Sequence, residues 1–108
     1  MNNRFVFLTP AFNCKDTIQQ TLMSFFVQSY DNWRAVVVDD MSTDGTGEFV
    51  KDFSKKFGFE DKVSVVFREE KYGETRNTVS EVKNIDDNEI VCRVDGGDWL
   101  TEVDCLYF

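Results

Sequence analysis

The stretch Ala35-Val36-Val37-Val38-Asp39-Asp40-Met41-Ser42-Thr43-Asp44-Gly45-Thr46 decides how the rest of the chain is read. Its opening run is short, apolar and mostly β-branched, which predicts a strand buried on both faces, as in a parallel sheet. Asp39-Asp40 close that strand, and Ser42 to Thr46 carry turn and helix-cap chemistry. Downstream, Phe49, Val50, Phe53 and Phe57 fall on one helical face, and Gly58 ends the helix.

Working outward, the same alternation continues. Arg4-Phe5-Val6-Phe7-Leu8-Thr9 predicts a first buried strand, stopped by Pro10, the only proline. Ile18, Leu22, Phe25 and Phe26 then recur at helical spacing, with Asn13 as the expected cap and Asp16 three residues on. Lys62 to Phe67 predicts a third strand, Gly73 to about Val82 a weaker helix, and Glu89 to Val94 a fourth strand. Asp95-Gly96-Gly97-Asp98-Trp99 follows that strand, and Thr101-Glu102-Val103-Asp104 resembles a capping box that opens a last helix. Strands alternating with helices predict an α/β fold with a parallel sheet and right-handed crossovers.

Composition sets bounds on function. With 108 residues, 42% hydrophobic content and eleven Phe, the chain can build one core, so a single domain over 1–108 is expected. No stretch reaches the roughly 20 apolar residues of a membrane span and no signal segment opens the chain, so a cytoplasmic protein is expected. A formal net charge of −8 argues against nucleic acid. The three cysteines, Cys14, Cys92 and Cys105, form no CxxC pair and suit reduced thiols. Histidine is absent, which removes Ser-His and Cys-His catalysis and leaves carboxylates as the metal ligands, a set that suits Mg²⁺ or Mn²⁺.

In a parallel sheet the loops that follow the strands emerge on one rim, where ligands bind. Those loops are Pro10-Ala11-Phe12-Asn13, Asp39-Asp40, Glu69 to Arg76, and Asp95 to Asp98. Their carboxylates would repel one another without a cation among them. Phe12 either stacks on a nucleobase or packs under the first helix. Asp40 can accept a base N–H, whereas Asp39 serves equally well as a cap for the Ser42–Thr46 turn. Arg76 suits a diphosphate or pairs with Glu74 or Glu69. Trp99 reads better as a packing residue than as a sugar platform.

Pro10-Ala11-Phe12-Asn13, Val37 through Thr46 and Val94-Asp95-Gly96-Gly97-Asp98-Trp99-Leu100 resemble, in order and spacing, the signature of family 2 glycosyltransferases. That signature runs P-x-Y/F-N, V-V-D-D-G-S-T-D-G-T, then an Asp-x-Asp-type loop ending in D-D-W. Gly73-Glu74-Thr75-Arg76-Asn77 resembles its G-x-x-x-A-R-N segment. The resemblance implies a Rossmann-like GT-A nucleotide-diphospho-sugar transferase fold, with a parallel sheet flanked by helices, in truncated form. It implies an enzyme that transfers a sugar with inversion from a nucleotide-diphosphate donor, often a uridine one, to a glycan, lipid or protein acceptor. By position, Pro10, Ala11, Phe12, Asn13, Asp39, Asp40, Arg76 and Asp95 would bind the nucleotide, and Asp98 with Asp95 would hold Mn²⁺ or Mg²⁺. Gly97 stands where the family has a further Asp. The family's catalytic base lies in a later segment, so it is expected beyond Phe108, and an uncovered apolar face would then drive homo-oligomers.

Two other classes compete. A non-catalytic nucleotide-sugar-binding module would share the same donor site. A receiver-like signalling domain also gathers acids around Mg²⁺, but it needs an acidic pair after the first strand, where this chain has Thr9-Pro10. No G-x-x-x-x-G-K-[ST] occurs, which excludes a P-loop.

Overall fold

The computed structural model describes residues 4–28, 30–68, 89–94 and 96. The expected helices over 73–82 and from Thr101, together with Arg76, Asp95, Asp98, Trp99 and Cys105, lie outside the described residues. Among the rest, the chain runs β1 (Arg4–Ala11), α1 (Lys15–Phe26), β2 (Trp33–Asp39), α2 (Thr46–Lys56), β3 (Val63–Phe67) and β4 (Glu89–Arg93). The four strands form one parallel sheet in the order β3-β2-β1-β4. The α/β architecture expected from the alternation is therefore the observed one.

Side-chain parity divides the sheet into two faces. Phe5, Phe7 and Ala11 of β1 and Trp33, Ala35 and Val37 of β2 join Ile18, Leu22 and Phe25 of α1 and Val50 of α2 in one core. The Phe7 ring stacks on Phe25 with centroids 4.2 Å apart. Val6 and Leu8 of β1 and Val36 and Val38 of β2 form a second cluster on the opposite face. These four are buried on the central strands.

Two local expectations are corrected. β1 does not stop at Pro10: it runs to Ala11, with Pro10 opposite Val38 and Ala11 opposite Asp39. The fixed φ of proline is compatible with extended backbone, and only one donor is lost. Asn13 is not the cap of α1; Cys14 takes that position, with no side-chain cap bond of its own. Asn13 has φ +48°, and its amide oxygen accepts the Thr43 N–H instead. At the end of α2, Gly58 (φ +80°) donates to Lys55 O and Phe59 donates to Ser54 O. This paired closure needs a left-handed residue, as the sequence indicated.

At the start of the strands, Arg34 reaches across β1. Its Nε and a terminal guanidinium nitrogen donate to Glu89 Oε2 and Oε1 at 2.9 and 3.0 Å. Glu89 is 4% exposed at its side chain, and Arg4 adds a second cation at 3.7 Å. This fork joins β2 to β4 over the strand between them.

Candidate donor site

The final carbonyls of β1 organise the other end of the sheet. Leu8 O accepts the Val94 N–H on the β4 side. Pro10 O accepts the Gly96 N–H at 3.1 Å, and Ala11 O accepts the Asp40 N–H at 2.9 Å. Consecutive carbonyls thus hold the loop after β4 and the loop after β2. Strand order also reverses here: β2 and β3 lie to one side of β1 and β4 to the other. A crevice at such a switch point, outside the carboxyl ends of the strands, is where parallel α/β sheets take ligands.

The loops after β1 and β2 are stitched to one another. The Asn13 N–H donates to Ser42 Oγ at 2.9 Å, and the Asn13 amide oxygen accepts the Thr43 N–H at 2.7 Å. The Cys14 N–H donates to Thr46 Oγ1 at 3.1 Å. Asp44 serves both helices: its Oδ2 accepts the Lys15 N–H at the start of α1, and its Oδ1 accepts the Thr46 N–H at the start of α2. Helix N-termini carry unsatisfied donors and partial positive charge, so one carboxylate stabilises two ends at once.

Asp39 and Asp40 part ways despite being neighbours. Asp39 belongs to the helix face of the sheet, where its Oδ1 accepts the Ser42 N–H and its Oδ2 accepts the Gly47 N–H in the first turn of α2, both at 3.0 Å. The adjacent cap residue, Gly45, has no side chain to do this. Of the two roles open to Asp39 from sequence, capping is the one its contacts display. Asp40 is also buried, and its backbone is fastened to β1.

Pro10 and Ala11 are buried at the end of β1, while Phe12 and Asn13 are exposed beyond it. Met41, to which the sequence drew no attention, is exposed in the left-handed region at φ +63°. Arg76, Asp95 and Asp98 lie outside the described residues. Gly96, between two of the expected ligands in sequence, has its missing Cβ claimed by the protein itself. A Cβ there would lie 2.7 Å from Cys14 Sγ and 3.4 Å from both Ala11 Cβ and Pro10 O. Glycine at this position lets the loop after β4 seat against β1.

Burial, the largest influence, pushes the Cys14 thiol above its ordinary value; a Phe12 backbone hydrogen bond opposes this, while Asp44 and Asp39 reinforce it. For Asp44, burial is the largest single influence and acts upward. Hydrogen bonds from the Thr46 hydroxyl and from the Lys15 and Thr46 N–H groups outweigh it and hold the carboxyl below its ordinary value. Among the described residues no three Asp, Glu or Cys side chains converge as a metal cage. Gly96, whose N–H is fastened to Pro10 O, lies in sequence between Asp95 and Asp98, the carboxylates expected to hold a divalent ion. No helix among the described residues is long and apolar enough to cross a membrane.

Comparison with known proteins agrees with this geometry. The chain is 29% identical over 109 aligned positions to the glycosyltransferase GlyA of Streptococcus pneumoniae serotype 4 (strain ATCC BAA-334 / TIGR4), covering 99% of this chain and 15% of GlyA. It spans no more than a quarter of the length of the curated relatives it matches. Its fold is that of the mannosyltransferase PcManGT from Pyrobaculum calidifontis, solved in complex with GDP-Man and Mn²⁺: the TM-score is 0.87 at 24% identity, over 98% of this chain and 31% of that one. Residues 1–349 of S. aureus TarS in complex with UDP superpose with a TM-score of 0.77 at 25% identity, over 95% of this chain and 30% of TarS. The parallel sheet with its flanking helices is thus the GT-A arrangement. With the model of the family "Glycosyl transferase family 2" matching residues 6–104, this chain belongs to that family.

Proposed function

We propose that this chain, residues 1–108, is the donor-binding domain of an inverting glycosyltransferase that takes its sugar from a nucleotide diphosphate, a uridine one first of all. The observation that carries the reading is the pair of tethers on β1: Ala11 O holds the loop of Asp40, and Pro10 O holds Gly96, so residues more than fifty positions apart share one rim. In this reading Phe12 lies against the base and the buried Asp40 accepts a base N–H. Pro10, Ala11 and Asn13 shape the floor, and Asp39 keeps the loop after β2 in place by capping α2. Arg76 sets its fork on the diphosphate, and Asp95 reaches the ribose or the waters of the ion. Asp98, with Asp95, would hold Mn²⁺ or Mg²⁺, which when bound supplies positive charge to the departing diphosphate. The catalytic base is assigned to a segment after Phe108. A cytoplasmic setting, where thiols stay reduced, suits Cys14 and Cys92, which form no disulfide with one another.

The same donor site would also serve a second reading, a module that binds the donor without turnover. Isothermal titration with UDP and Mn²⁺, paired with a donor-hydrolysis assay, separates the two: binding without hydrolysis selects the module. Asp98→Asn is expected to abolish metal-dependent UDP binding while circular dichroism stays that of the wild type. Equal affinity in both proteins with Mn²⁺ present would remove the metal assignment.

A further inference from the structure

Met41 occupies a conformation that its residue type rarely adopts. A bulky side chain at φ +63° crowds its own backbone, and such outliers persist only where the surroundings enforce them. The enforcement is visible on both sides: the Asp40 N–H is held by Ala11 O, and the Ser42 N–H by Asp39 Oδ1. Those fastenings would hold a glycine equally well, and glycine accepts this φ without cost. The methionine side chain gains little from the protein in return, being 48% exposed.

Phe12 is its counterpart on the neighbouring loop. Ala11 is bonded to Asp40 and Asn13 to Ser42, so Phe12 and Met41 are each bracketed by residues tied across the same gap. Phe12 is 44% exposed. Two large apolar side chains, both half open to water, therefore sit on adjoining loops at the switch-point rim. The carboxylates around them, Asp39, Asp40 and Asp44, repel a phosphate group, whereas a thioether and a ring favour a flat aromatic surface.

We propose that Met41 is a specificity-determining residue of the donor site, forming with Phe12 the apolar wall against which the nucleobase lies. The inference deepens the donor-binding reading and rests on it. The left-handed backbone at Met41 is then the means by which the loop after β2 presents a side chain, where a glycine would present none.

The test uses the 108-residue chain with Mn²⁺, titrated with UDP, GDP and inorganic pyrophosphate. Met41→Gly is expected to weaken the better-bound nucleotide about three- to tenfold, the range of a sulfur–aromatic contact, and to leave pyrophosphate affinity unchanged. Met41→Leu, which restores apolar bulk, should recover most of the loss. The melting temperature of Met41→Gly should equal or exceed that of the wild type. Unchanged nucleotide affinity in Met41→Gly overturns the assignment, as does an equal loss for pyrophosphate or a lowered melting temperature, which would mark a packing role. If the wild type binds neither UDP nor GDP, the donor-binding reading itself falls and takes this inference with it.

Discussion

The two ends of the sheet hold their carboxylates in opposite ways. Where the strands begin, Glu89 is gripped by the Arg34 fork with Arg4 nearby, so positive charge meets negative charge. Where the strands finish, Asp39 and Asp44 are held by the backbone N–H groups of Ser42, Gly47, Lys15 and Thr46 and by the Thr46 hydroxyl. Neutral donors stabilise a carboxylate without cancelling its charge. The first end is thus electrically closed and serves architecture. The second keeps a negative field, which a cation-bridged ligand completes.

The sharpest way to break this contrast is Asp39→Ala. It strands the buried Gly47 N–H and the Ser42 N–H together and removes the cap of α2, so a loss of about 3 kcal/mol is expected. Urea unfolding measures it, and a loss below about 1 kcal/mol would show that the loop after β2 is held by other means. At the opposite end, Arg34→Met removes the fork and leaves the buried Glu89 with Arg4 as a more distant cation. Breaking a buried pair costs about 3–5 kcal/mol, but Arg34 is 28% exposed, which reduces the expectation to about 2 kcal/mol. The same urea experiment reads it, and nucleotide affinity should not change, because this fork lies away from the donor rim. A loss of affinity equal to that of a rim mutant would merge the two ends into one functional unit.

The smallest effect concerns acid. A carboxyl whose folded value is depressed contributes stability that is present above its unfolded value and vanishes as pH falls through the folded one. For Asp44 the unfolded reference is 3.8 and the folded value is lower, so its contribution should be complete above about pH 5 and disappear below the reference. Comparing wild type with Asp44→Asn across pH 5 to 2.5 isolates it: the gap in unfolding midpoint should close on the acid side. A gap that stays constant with pH would mean that the two helix ends are held by geometry alone and not by charge.

Much of this contrast was legible in the chain, and the rest was not, for identifiable reasons. Continuous apolar runs such as Val36-Val37-Val38 and the spacing of Ile18, Leu22 and Phe25 point to their elements, because burial on both sheet faces and along one helix stripe demands them. Short-range signals also held for the α2 terminus, where Gly58 takes the left-handed position. Asn13 failed as a cap because its partner, Thr43, stands thirty residues away, and local spacing carries no information about that bond. Pro10 misled for a related reason: whether a strand tolerates a missing donor depends on its neighbours. The separate surroundings of Asp39 and Asp40 follow from strand parity, which becomes informative only once β2 is known to continue through Asp39. The left-handed Met41 gave no signal, since methionine is among the residues least expected there. Family resemblance supplied the roles of Arg76, Asp95 and Asp98, which remain proposals.

The strand order has a consequence for synthesis on the ribosome. β1, β2 and β3 can assemble with both helices once Phe67 has left the exit tunnel, yet β1 still lacks its second partner until Glu89 to Gly96 follow. During that interval β1 is a naked edge, with Leu8, Pro10 and their neighbours offering unclaimed carbonyls. Such an edge is a template for the wrong chain, and its exposure lasts as long as translation of the intervening segment takes. The element that finishes the rim is therefore also the one that covers the exposed edge of β1, so slow translation between Phe67 and Glu89 should be penalised more than slow translation before β1.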